Sequence, residues 1–177
     1  MGKDREKGSY CIKGESAISI IGITGRISSG KSTVADFFKR CRSNILVLDI
    51  DVTAKGLYEK YPEIKSELKS VFGECIFGCK NDILFDRLSE IVFFKQSELK
   101  KLNRIMFPRI RKEVRGLLRS AADFDYIIIA AAILFGAKLD LLCDYIIFVD
   151  SSEEKRKLLL KNKNLSDNEI ELRIKGQ

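Results

Sequence analysis

The sequence contains no histidine. Every mechanism that needs imidazole as base, acid or ligand is therefore excluded, and acid–base chemistry falls to carboxylates or lysine. No apolar run reaches the roughly twenty residues of a membrane-spanning helix. The first residues, MGKDREKGSYCIKGES, mix acids with bases and lack the apolar stretch of a signal peptide. Met1-Gly2 begins a myristoylation pattern, but Glu6 stands where that pattern wants Ser or Thr. Residues 1–16 are expected to be a disordered leader. The cysteines, Cys11, Cys41, Cys75, Cys79 and Cys143, are odd in number. The chain is large enough to stand without disulfides, so they read as reduced thiols in a cytoplasmic protein. Cys75 and Cys79 lie close, but no second pair and no histidine completes a zinc site.

What is present fits one globular domain: 177 residues, 45% hydrophobic and 32% charged. A net charge of +7 asks for an anionic partner, whether nucleic acid, an anionic membrane surface or a phosphate-rich small substrate. The most basic stretch, Lys100 to Arg119, sets eight Lys or Arg against Glu113 alone. It lacks the interleaved aromatic series of a nucleic-acid stacking platform and reads as a solvated helix face that draws an anionic substrate. Neither a nucleic-acid nor a membrane partner is expected.

Apolar runs alternate with helical periodicity. AISIIG (17–22), NILVLDID (44–51), the run opening at DYIII (125–129) and CDYIIFVD (143–150) are short, β-branched and apolar on both faces, as buried parallel strands are. Between them the spacing predicts helices over 30–42, with Val34, Phe37, Phe38 and Cys41 inward, and over 52–61, 62–72, 85–94 and 98–120. Pro62 opens its helix, and Pro108 is expected to start a new helix or kink the old one. Helices over 153–163 and 166–174 close the chain, the last opened by a Ser166/Glu169 capping box. The result is an α/β fold with a parallel sheet covered on both faces. Residues 17–61 and 121–150 form its core, 62–120 a helical insertion walling a cleft, and 151–177 a lid with its following helix.

The sequence from Gly25 to Ser32, GRISSGKS, matches G-x-x-x-x-G-K-[ST] between a buried strand and an amphipathic helix. A polyphosphate wrapped by backbone N–H groups needs side chains kept away, so Gly25 and Gly30 supply close approach and unusual dihedrals. The helix that follows aims unpaired N–H groups and its positive end at the anion. Lys31 reaches the β and γ phosphates, and the Ser32 hydroxyl can ligate magnesium. Arg26 is not required by this logic and is expected to face solvent. Asp49 and Asp51 follow at the carboxyl end of the second strand, where ligands sit in open α/β sheets. One acid can hold the magnesium shell and the other accept a proton from an attacking hydroxyl. The alternative is a pair of strand-end caps.

GITGRISSGKSTVADFF, LDID, LSEIVF, KKLNRIMFPRIRKEV, the LDLLCDYIIFVDSSEE region and LSDNEIELRIKGQ, in this order, resemble the dephospho-coenzyme A kinase family over nearly the whole chain after Ile18. The resemblance implies a three-layer P-loop nucleotide-kinase core, a helical acceptor-binding domain and a lid. It implies transfer of the γ-phosphoryl of ATP to the ribose 3′-hydroxyl of dephospho-CoA, with Mg2+. Carried over by position, Gly25, Ile27, Ser28, Ser29, Gly30, Lys31, Ser32 and Thr33 hold ATP phosphates. Asp51 matches the base and contacts the acceptor, and Asp49 its metal-binding neighbour. Arg173 matches a lid-side arginine that faces ATP. Arg87 matches an acceptor-binding arginine or is a solvated helix charge, and Lys161 and Lys163 stand for the lid's basic clamp. Another nucleoside or nucleotide kinase, or an impaired nucleotide-binding protein acting through a partner, are the other readings.

Departures from the family pattern are local. Phe107-Pro108 stands where His-Pro is usual, and AAAILFG lacks two acids, at Ala130 and Gly136. The lid offers lysine for arginine, which neutralises charge without the planar fork. The family pattern runs on past Gln177 into a further strand and helix, so a sheet edge and part of the adenine wall are expected to lie beyond the sequence read here.

Overall fold

A computed structural model describes residues 18–162 and 167–175. The expected leader, Lys163 and the Ser166 cap lie outside the described residues. Four strands, β1 (Ser19–Gly25), β2 (Ile45–Asp49), β3 (Tyr126–Ala130) and β4 (Tyr145–Val149), form one sheet in the order β2-β3-β1-β4. All pairings are parallel, with Ser19 beside Tyr126, Ile45 beside Tyr126 and Ile21 beside Tyr145. The carboxyl ends of all four strands therefore open on one side, and the loops that follow them share that edge.

Side chains alternate across the sheet and build two cores. Ile20, Leu48, Ile127 and Ile129 face one way, under α2 (Ile50–Lys60), α3 (Pro62–Phe72), α4 (Phe85–Phe94) and α5 (Gln96–Ser120). Ile23, Ile45, Ile128 and Ala130 face the other way, under α1 (Lys31–Cys41). Each fully buried Ile or Leu adds about 1.5–3 kcal/mol relative to exposure. Helices on both faces of a parallel sheet give the expected three layers. Ile64 and Leu68 of α3, Leu88 of α4 and Ile110 of α5 belong to the same buried cluster as the strands, so one core runs from the sheet into the helical stretch.

Three details depart from the sequence reading. The stripe of α1 is shifted: Ala35 is buried while Phe37 is 58% exposed, because the helix lies close enough for a small residue to face the strands. The second strand stops at Asp49, and Asp51 belongs to the first turn of α2. Pro108 starts no new helix; α5 runs through it from Gln96 to Ser120. Pro108 withdraws the backbone donor that would reach the Arg104 carbonyl. In the adjoining turn the Arg109 Nη1 donates to the Ile105 carbonyl at 2.7 Å, and its Nη2 pairs with Glu67 of α3. That guanidinium ties the weakened turn to its neighbour.

β4 is the outer strand on the β1 side, and it exposes Tyr145 and Phe148 by 66% and 60%. α6 (Glu153–Lys161) follows it, and α7 (Asp167–Lys175) returns against α4.

Candidate active site

The loop between β1 and α1 is built by close approach. Gly22 lies flat in β1 because a Cβ there would meet Cys143 Sγ and Leu134 Cδ2, each at 2.9 Å. Gly25 has φ +153°, and a Cβ on it would stand 2.0 Å from the Val149 carbonyl oxygen of β4 and 2.8 Å from Ser29 Oγ. Gly25 is thus required twice, by dihedral and by its neighbour strand. Gly25→Ala is expected to destabilise the fold by about 3 kcal/mol, by overpacking in a strained backbone. A thermal melt checks this, and an unchanged midpoint would contradict the geometry.

Ser28 carries φ 55° and Gly30 φ 100°, so the loop curls in the left-handed region at two points. Gly30 is the N-cap of α1 and offers no side-chain acceptor, and the first turn of α1 holds no acid. The unpaired N–H groups and positive end of α1 are left for a ligand anion. Lys31 lies across its own loop, its Nζ donating to the carbonyls of Gly25 at 3.1 Å and Arg26 at 2.9 Å. Arg26 itself is exposed, as expected. Ile27 is half-buried, Ser29 is buried, and Ser32 and Thr33 are exposed in the first turn of α1.

At the same edge of the sheet, at the end of β2 and one strand removed from β1, Asp49 is the N-cap of α2. Its Oδ1 accepts from Asp51 N at 2.9 Å and Val52 N at 3.2 Å. Of the pair of caps in the alternative reading, Asp49 makes one, a helix cap that uses one carboxylate oxygen. Asp51 is exposed in the first turn of α2. The capping bond orients its backbone, so the rigid turn carries the side chain at the ligand edge of the sheet.

Arg87 and Arg173 gather elsewhere. Arg87 pairs with Glu90 at 3.6 Å on the exposed surface of α4. Arg173 lays its guanidinium 5.4 Å from the Phe93 ring centroid, in a small cleft it shares with Asp86 and Glu169. The sequence-predicted site residues are thus spread over the edge of the sheet, the surface of α4, the cleft between α4 and α7, and the end of α6. Lys161 is exposed at the end of α6. Cys143 has no part in chemistry near neutrality: burial, then Asp140 and Asp144, pushes its thiol up to about 12, and its Sγ donates to the Leu139 carbonyl. Among the described residues no group of three or more Cys, Asp or Glu gathers as a metal cluster.

Two departures from the family pattern meet in space. The Phe107 ring lies 3.5 Å from where a Cβ of Gly136 would be, so an apolar side chain rests on a glycine. Arg111 of the next turn fixes the same loop by donating to the Ala137 carbonyl at 3.1 Å. We expect Gly136→Glu alone to destabilise the protein, since it sets a carboxylate against the ring. Phe107→His in the same chain should recover about 1 kcal/mol or more of the loss. A double-mutant cycle by chemical denaturation measures this; strict additivity would contradict the coupling.

A family model described as dephospho-CoA kinase matches residues 19–177. The chain belongs to the dephospho-CoA kinase family. A dephospho-CoA kinase from Aggregatibacter actinomycetemcomitans is 35% identical over 149 residues, covering 84% of this chain and 69% of that protein. One from Borreliella burgdorferi is 35% identical over 161 residues, covering 89% and 76%. The fold is similar to the crystal structure of TT1252 from Thermus thermophilus, with TM-score 0.73 and 29% identity over 90% of this chain and 80% of that one. As a dephospho-CoA kinase family member, the chain is a kinase, and ATP is the phosphate donor of its family.

Sequence reasoning missed one charged residue of this region. Arg156, in α6, is 2% exposed. Its position in a lysine-rich helix gave no signal; burial of one arginine among exposed lysines is set by tertiary packing.

Proposed function

We propose that this chain transfers the γ-phosphoryl group of ATP to the ribose 3′-hydroxyl of dephospho-CoA, giving CoA and ADP. The observation that carries the reading is that an anion-binding loop with Lys31, after β1, and an exposed aspartate, Asp51, after β2, both lie at the carboxyl edge of one parallel sheet, with β3 between their strands. Phosphoryl transfer asks little covalent chemistry of a protein; it asks for positioning and charge. The N–H groups at the start of α1 and the Lys31 ammonium neutralise the phosphate tail. On binding, Lys31 exchanges two carbonyl partners for phosphate oxygens, so loop and lysine need no large rearrangement. Asp51 accepts the proton of the ribose hydroxyl as it attacks.

Ser32 and the carboxylate oxygen of Asp49 not used in capping are hard oxygen donors, suited to Mg2+ alongside phosphate. When bound, that ion would offset charge on the β and γ phosphates. Residues 62–120 wall the acceptor side, with Arg87 as an acceptor contact, and 151–177 cover the nucleotide, with Lys161, Lys163 and Arg173 toward phosphate. For Arg87 this asks exchange of the surface pair with Glu90. A cytoplasmic setting suits the substrate and the free thiols Cys41, Cys75 and Cys79.

The test is the purified chain with ATP, Mg2+ and a panel of acceptors. CoA formation from dephospho-CoA supports the proposal. Turnover of a nucleoside alone replaces it with another kinase activity. Tight ATP binding without transfer to any acceptor leaves a nucleotide-binding protein.

A further inference from the structure

Among the described residues, the enclosed side-chain nitrogens and oxygens lacking a hydrogen-bond partner are Ser28 Oγ, Ser29 Oγ, Ser151 Oγ, and Nε and Nη1 of Arg156. They lie on the phosphate loop, on the segment that carries β4 into α6, and, for Arg156, on α6 itself. The first two of these touch. Gly25 pairs in register with Val149, and the space above Gly25 is bounded by the Val149 carbonyl and Ser29 Oγ. Ser151 follows Val149 by two residues, and Arg156 stands one turn inside α6, its N–H bonded to the Ser152 carbonyl that opens the helix.

Arg156 is the unusual member. Folded chains rarely enclose a guanidinium, and they pair it when they do, because desolvating an unpaired charge is costly. The carboxylate three residues before it on the helix, Glu153, is committed elsewhere: Lys157 Nζ holds it at 2.7 Å. That hydrogen bond and charge keep the Glu153 carboxyl below the usual range, with smaller contributions from Arg156 and from Arg26 of the phosphate loop. One carboxylate thus lies within electrostatic reach of both arginines.

We propose that Arg156 is a phosphate-binding residue of the nucleotide site, its planar fork meeting the phosphate tail that the loop holds. The inference rests on the ATP reading above and adds to it a contact that the sequence motifs did not assign. Arginine suits the role, since its rigid donors match phosphate oxygens in pairs where lysine offers a point charge. The bound anion supplies the partner that the ligand-free chain lacks. Ligand binding and the relief of a buried charge are then one event, which couples nucleotide occupancy to the seating of α6 on the loop.

The test uses the full chain, with ATP and inorganic tripolyphosphate as probes in titration calorimetry, and thermal melting without ligand. Arg156→Met is expected to weaken binding of both probes by about 10- to 100-fold, as loss of a bidentate charged contact does. Its ligand-free melting temperature should equal or exceed that of the wild type, because an unpaired buried charge has been replaced by an apolar side chain of similar length. Arg156→Lys should bind both probes with intermediate affinity. Wild-type affinity in Arg156→Met would overturn the inference and leave the ATP site standing. A large fall in its ligand-free melting temperature would also overturn it, by making Arg156 a structural residue. Failure of the wild-type chain to bind either probe would overturn the phosphate-site reading itself and this inference with it.

Discussion

Asp51→Asn is expected to lower kcat by about a thousandfold and to leave ATP affinity within a factor of two to three. The asymmetry follows from where the side chain stands. Asp51 is exposed in the first turn of α2, and its backbone N–H, not its carboxylate, makes the capping bond to Asp49 Oδ1. Asparagine keeps the backbone, the bond and the volume, so the helix start should not move. What is lost is the capacity to take a proton as the acceptor hydroxyl attacks. A thousandfold loss is about 4 kcal/mol of transition-state stabilisation. Steady-state kinetics, with ATP binding measured separately, would detect the split. Equal damage to ATP affinity and turnover would instead make Asp51 part of the donor site.

Lys31→Met should have the complementary profile. Transfer from ATP should fall by about a thousandfold in kcat/KM, within the range for removing a charge that meets developing negative charge. Nucleotide binding should weaken with it, because the ammonium contacts both ground state and transition state. The fold should survive the change. The two bonds lost, to the carbonyls of Gly25 and Arg26, close a loop that the backbone bond from Ser29 N to the Arg26 carbonyl also closes. Single-turnover rates and a thermal melt separate the two effects. Wild-type transfer by Lys31→Met would remove the loop from the mechanism.

The strands and their order of helices were legible because a parallel sheet buried on both faces leaves continuous apolar runs that nothing else in the chain imitates. The phosphate loop was legible because its demands are local: glycine where backbone must approach, lysine and hydroxyl next to a helix start. The reasons for particular glycines were only partly so. Gly22 answers to Cys143 and Leu134, and Gly25 to Val149, all more than a hundred residues away in sequence. Pro108 left open whether a new helix starts or one helix runs on, and the Arg109 guanidinium that bridges the adjoining turn becomes visible only when α3 lies beside it. Asp49 and Asp51 looked like alternate positions of one strand; a helix begins between them, and the cap that Asp49 makes is what begins it. The pairing of Phe107 with Gly136 could not be read from either residue alone. Arg156 left no trace in the pattern, since charge in a helix rich in lysine reads as solvent-facing until packing encloses it.

The central claim is that the loop and Asp51 form the two ends of one phosphoryl-transfer site. Its most direct measurement follows label from γ-32P-ATP into dephospho-CoA, with wild type and Asp51→Asn at equal ATP saturation. The account predicts label at the ribose 3′-hydroxyl with the wild type and a loss of about a thousandfold with the variant. Equal labelling by the two proteins, or no labelling of dephospho-CoA by a wild type that binds ATP, would contradict it.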